Sequence, residues 1–89
     1  MSSTDKESTS QVEACFSTLV MSIGSSALMN LGIIPDPAGK SEVNKEMARF
    51  NIDLLEVLKE KTKNNLSKEE KEMLEAILSD LQMRFVQTN

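Results

Sequence analysis

Residues 41–63 read Ser-Glu-Val-Asn-Lys-Glu-Met-Ala-Arg-Phe-Asn-Ile-Asp-Leu-Leu-Glu-Val-Leu-Lys-Glu-Lys-Thr-Lys, and the period of this stretch decides the fold. On a helical wheel Val43, Met47, Phe50, Leu54, Val57 and Leu58 share one face, and Ala48, Ile52 and Leu55 extend it well round the cylinder. Only Lys45, Arg49, Asp53, Glu56, Glu60 and Lys63 keep a narrow arc polar. A helix apolar over more than half its circumference is touched from two sides, so this is the central element. It is expected to run over residues 42–63, with Ser41 as N-cap and with Lys59, Lys61 and Lys63 matching the negative end of the helix dipole.

Downstream, Asn64-Asn65-Leu66 is a short connection, and asparagine tolerates the left-handed backbone that a helix end often needs. Ser67-Lys68-Glu69-Glu70 has the pattern of a capping box, in which Ser67 takes the Glu70 amide and the Glu70 side chain reaches back. A third helix then occupies residues 67–86, cap included, with a stripe of Leu74, Ile77, Leu78, Leu81 and Phe85. Burying each such side chain contributes roughly 1.5–3 kcal/mol, while ordering costs about 1–2 kcal/mol per residue. This helix cannot stand alone and is expected to fold back on the second as an antiparallel hairpin.

Upstream, Asp36-Pro37-Ala38-Gly39 has the residue order of a type I turn. Before it, Gly32 suits a left-handed position after a helix, Ile33 is placed to pack back on Leu28, and Pro35 blocks continuation. The helix so ended spans residues 11–31, with Val12, Phe16, Leu19, Val20, Ile23, Ala27 and Leu31 at spacings of three and four. Residues 1–10 are polar and read as a disordered arm, and residues 87–89 as a tail. The loop over residues 32–40 is long enough to let the first helix pack on its own hairpin or on that of another copy.

From Ala27 to Val86 the sequence resembles a family known as domain of unknown function 1844. The resemblance is carried by Ala27-Leu28, Leu31-Gly32, the Pro37 and Gly39 turn, and the run from Ala48 to Leu55. It continues through Leu58, Lys61-Thr62-Lys63, Asn65-Leu66, Glu70, Leu74 and Phe85-Val86. Where that family has glycine before Asn-Leu, this chain has Asn64. The resemblance implies a small, helical, bacterial protein, and it brings no activity and no catalytic residues with it.

Composition narrows the chemistry further. A chain of 89 residues makes one domain whose core is marginal without help. Cys15 is the single cysteine and histidine is absent, which removes an internal disulfide and the usual proton shuttle. A net charge of -4 and an aromatic set limited to Phe16, Phe50 and Phe85 argue against nucleic acid. No signal peptide is visible at residues 1–10. The uncharged stretch over residues 14–35 is diluted by Ser17, Thr18, Ser22, Ser25, Ser26 and Asn30, so no membrane span is expected. A cytoplasmic location follows as the default.

Each polar residue that invites a chemical role has a plainer one. Cys15 lacks a histidine base and sits near Glu13, so it reads as a half-buried small side chain. Glu69, Glu70, Glu72 and Glu75 lie where a helix N-terminus favours negative charge, without the Glu-x-x-His pairs of a di-iron site. Asp53 has Arg49 four residues before it, Lys61 lies along the apolar side with its ammonium reaching water, and Thr62 serves a backbone carbonyl. No glycine-rich phosphate loop is present.

One face is less ordinary. Ala14, Thr18, Met21, Ser22, Ser25 and Met29 line the back of the first helix with small or soft side chains and no charge. Small residues permit close approach and methionine adapts to irregular partners, so this is the candidate interaction face. The expectation is an all-α three-helix protein with a C-terminal antiparallel hairpin, forming a homodimeric bundle. It is expected to be an interaction or assembly module rather than an enzyme, with no cofactor or metal and an unidentified protein partner. The alternative is a binder of a small apolar ligand held between helices by Met21, Met29 and Met47.

Overall fold

The structure, a computed structural model, describes residues 14–88. The expected arm at residues 1–10, and the first helical turn expected from Gln11, lie outside the described residues. The fold is all-α: α1 (Phe16–Asn30), α2 (Lys45–Lys61) and α3 (Lys68–Gln87), every pair of which is in contact.

Helix α1 starts later than the periodicity suggests among the described residues, since Cys15 is extended at its N-cap (φ -141°, ψ 171°). Its end follows the sequence. Gly32 is left-handed at φ 75°, and the amides of Gly32 and Ile33 donate to the carbonyls of Met29 and Leu28 at 3.0 Å each. That pair of bonds is the Schellman arrangement, and it satisfies carbonyls that the helix leaves open. The turn that follows closes with the Gly39 amide on the Asp36 carbonyl at 2.8 Å, while the Asp36 carboxylate takes the Ala38 and Lys40 amides at 2.9 Å.

The start of α2 is a correction. Its N-cap is Asn44, whose side chain accepts from the Met47 amide at 3.1 Å, and not Ser41. Residues 41–43 precede the helix because Val43 pairs with Leu31 in an antiparallel bridge and the Asn44 amide donates to the Asn30 carbonyl at 2.7 Å. Both residue types are strong caps, and the long-range pairing decides between them. Helix α2 also ends at Lys61 instead of Lys63, because Thr62 takes the C-cap and its hydroxyl donates back to the Leu58 carbonyl at 2.6 Å. Asn64 then supplies the left-handed turn residue at φ 69°, the role glycine would play.

Helix α3 opens on the expected capping box. The Glu70 amide donates to Ser67 Oγ at 3.1 Å and the Ser67 amide to Glu70 Oε1 at 2.9 Å. It runs one residue further than expected, so Gln87 is helical and not part of a tail.

The core is built from Val20, Ala27 and Leu31 of the first segment, Ala48, Ile52 and Leu55 of α2, and Leu74, Leu78 and Leu81 of α3. At Gly24 an added Cβ would meet Ile77 Cγ2 at 3.4 Å, so α1 lies close over α3 there. One polar side chain is buried with them. Asn51 is 8 % exposed, and its amide donates to Asn30 Oδ1 at 2.7 Å and to the Met47 carbonyl at 3.2 Å. Asn51→Ala strands Asn30 and leaves a small void, so a loss of about 1–3 kcal/mol is expected in urea unfolding. An unchanged midpoint would mean that this pair does not hold α1 to α2.

Candidate interaction surface

The buried side of α2 is made by Ala48, Asn51, Ile52 and Leu55, which leaves its other apolar side outward. At roughly 100° per residue, Met47, Phe50, Leu54 and Val57 form a continuous stripe, extended by Val43 just before the helix. Phe50 is 52 % exposed and Val57 51 %, with Val43 and Met47 similarly open and Leu54 half-buried. The spacing alternates four and three, the repeat of a coiled-coil seam.

The two borders of this seam differ. Along one edge run Glu46, Asp53 and Glu60, all exposed and seven residues apart. Asp53 makes a long contact with Arg49 (3.7 Å), the surface ion pair its spacing suggested. On the other side α2 turns Asn51 towards α1, a helix without a charged residue.

Of the six residues singled out, Thr18, Met21, Ser22, Ser25 and Met29 recur three and four apart in α1 and so share one side of it. Ala14 lies ahead of the helix and is exposed, as is Ser22, while Met21 is 54 % exposed. Thr18 is partly covered, and its carbonyl accepts from Ser22 Oγ at 2.9 Å. Met21 and Ser25 open onto α3, where with Gly24, Ala76 and Ile77 they border an open groove of about 250 Å³. Asp80 at its margin is held by Arg84 at 2.8 Å. Met29, one turn beyond Ser25 on the same side, borders a hollow beside Val43 and Met47 at the start of α2.

Cys15 is exposed, where the sequence suggested half-burial, and its Sγ lies 3.3 Å from Thr18 Oγ1. A hollow of about 780 Å³ between α2 and α3 has Leu74 and Leu78 among its lining. Lys59, Lys63 and Lys71 alternate there with Glu56, Glu60 and Glu75. Mixed charges of this kind largely cancel and give little preference for an anion or a cation. Among the described residues no three Cys, Asp or Glu side chains converge as metal ligands would. No helix among them is long and apolar enough to cross a membrane.

Residues 13–87 match the family model described as Domain of unknown function (DUF1844). No curated protein and no solved structure matches the chain.

Proposed function

The chain belongs to the family described as Domain of unknown function (DUF1844), and from its surfaces we propose that it is a non-catalytic helical interaction module, acting through self-association and the binding of a partner protein. The observation that carries this reading is the outward seam of α2, where large apolar side chains repeat at coiled-coil spacing and none of the described helices lies over them. Singly exposed apolar residues are ordinary on a small protein, and a periodic row of them is not. The residue types support the non-catalytic part, since the chain has no histidine and polar residues such as Ser67, Glu70, Arg49 and Asp53 serve a cap or a surface pair.

Self-association is assigned to the uncharged face of α1 around Met21, Ser22 and Ser25, as a symmetric homodimer. Small residues and a neighbouring apolar groove support close approach of a second copy. Within each chain α2 and α3 are taken as an antiparallel hairpin. This is supported by their short connection and by Lys45 at the start of α2, which donates to the Thr88 carbonyl at 2.7 Å beyond the end of α3.

The test is molar mass by light scattering across a concentration series. The dimer mass is expected for the wild type and the monomer mass for Ser22→Glu, an exposed position where the fold has room for the larger side chain. A wild type that stays monomeric throughout would remove self-association from the reading.

The groove beside Met21 also supports the second reading, a small apolar ligand held between α1 and α3. Its volume of about 250 Å³ lies just below the usual range of roughly 300–1,000 Å³ for ligand sites. Native mass spectrometry of the purified protein decides it: a bound mass favours this reading, and the bare chain mass removes it.

A further inference from the structure

Resting on the interaction-module reading, we propose that the outward seam of α2 receives an amphipathic helix of another protein, whose apolar stripe is flanked by lysine or arginine at seven-residue spacing. The apolar part follows from the geometry. Met47, Phe50, Leu54 and Val57 alternate three and four apart, so a facing helix can seat its own side chains between them along about 15–20 Å.

The charge of the partner follows from the borders. Glu46, Asp53 and Glu60 stand at the positions from which coiled-coil helices make their flanking ion pairs. Asp53 has a distant intrachain partner in Arg49, and Lys61 stands beside Val57 and Glu60 at the far end of the seam. The row as a whole is exposed and net acidic. On the opposite border α1 offers no charge, and Asp36 and Lys40 of the loop, of opposite sign, reach only the hollow at the start of the seam. The partner is therefore basic along one flank and uncharged along the other.

A second copy of this chain offering the same seam is the wrong occupant. Antiparallel pairing of two α2 seams sets Glu46 against Glu60 and Asp53 against Asp53, which repels. Parallel pairing sets the acidic row against the α1 of the other copy, which has no lysine or arginine to meet it. The same row that attracts a basic helix thus discourages this face from pairing with itself.

The test uses the full chain and two fluorescently labelled synthetic helical peptides of about three heptads. Both carry leucine along the seam, one with lysine at the flanking positions and its twin with glutamate there, and binding is read by anisotropy at several salt concentrations. The lysine peptide is expected to bind and the glutamate twin to bind at least about tenfold more weakly. Phe50→Glu, checked for native helicity by circular dichroism, is expected to abolish binding, as is Val57→Glu. The charge-removing variant E46Q/D53N/E60Q is expected to bind about tenfold more weakly than wild type and with a flatter salt dependence.

Equal binding of the two peptides, no binding of either, or binding indifferent to both seam substitutions would overturn the proposal. So would a dimer that Phe50→Glu converts to monomer, since the seam would then belong to a second copy. Loss of the dimer in Ser22→Glu, or its absence in wild type, bears on self-association alone and leaves this result standing.

Discussion

Leu55→Ala is expected to destabilise the protein by about 2–5 kcal/mol, the range for removing a large side chain from a packed core. Leu55 has no exposed surface and lies mid-way along α2 in the core shared by all three helices. A chain of 89 residues is stable by roughly 4–13 kcal/mol in total, so this one change removes a large share of it. In urea unfolding followed by far-ultraviolet circular dichroism, the midpoint should fall steeply or the native baseline disappear. Phe50→Ala is the internal control. It deletes a larger side chain one and a half turns away, yet Phe50 is 52 % exposed, so a loss below about 1.5 kcal/mol is expected. Equal losses at the two positions would mean that the outward side of α2 is as well covered as the inward one.

Gly32→Ala is expected to produce the largest loss outside the core. Gly32 sits at φ 75°, where an L-residue with a side chain costs about 1–2 kcal/mol. An added Cβ there would also meet Val43 Cγ2 at 3.1 Å, and Val43 is held by its bridge to Leu31. Gly39 separates the two contributions. It is equally left-handed, at φ 83°, but has nothing within 4 Å of an added Cβ. Gly39→Ala should show the backbone cost alone, and Gly32→Ala should exceed it measurably in the same unfolding assay. Identical losses would show that Val43 yields freely and that the bridge is weak.

Much of this fold was legible wherever a local chemical signal decides the backbone. The capping box at Ser67 and Glu70, the glycine after α1 and the Asp36 turn are all decided within a few residues, and each appears as the sequence implied. Two sites were not legible for the same physical reason. Ser41 and Asn44 are both competent caps, and the choice is made by Leu31 and Asn30, which lie outside any local window. Likewise, the helical wheel of α2 implies contact on both sides of its broad apolar arc, whereas the described helices cover one side. The structure turns inward the side bearing small Ala48 and polar Asn51, because Asn51 reaches Asn30 of α1. The bulkier Phe50, Met47 and Val57 are left outside, so the best candidate surface falls on α2. The α1 face, marked out by its lack of charge, borders the groove towards α3 near its middle and the hollow at the start of α2 near its end.

The corner where the end of α1, the start of α2 and the end of α3 meet governs how the molecule opens to solvent. Lys45 there grips the Thr88 carbonyl at 2.7 Å, with its ammonium 4.2 Å from the centre of the Phe85 ring. The adjoining Asn44 amide is fixed on Asn30. Helix ends usually fray independently and exchange their amide hydrogens fast. Here fraying of α3 is tied to the entry of α2, and the entry of α2 to the exit of α1. The amides of Ile33, Asn44 and Thr88 should therefore exchange as one group, although two whole helices separate the last of them from the others along the chain.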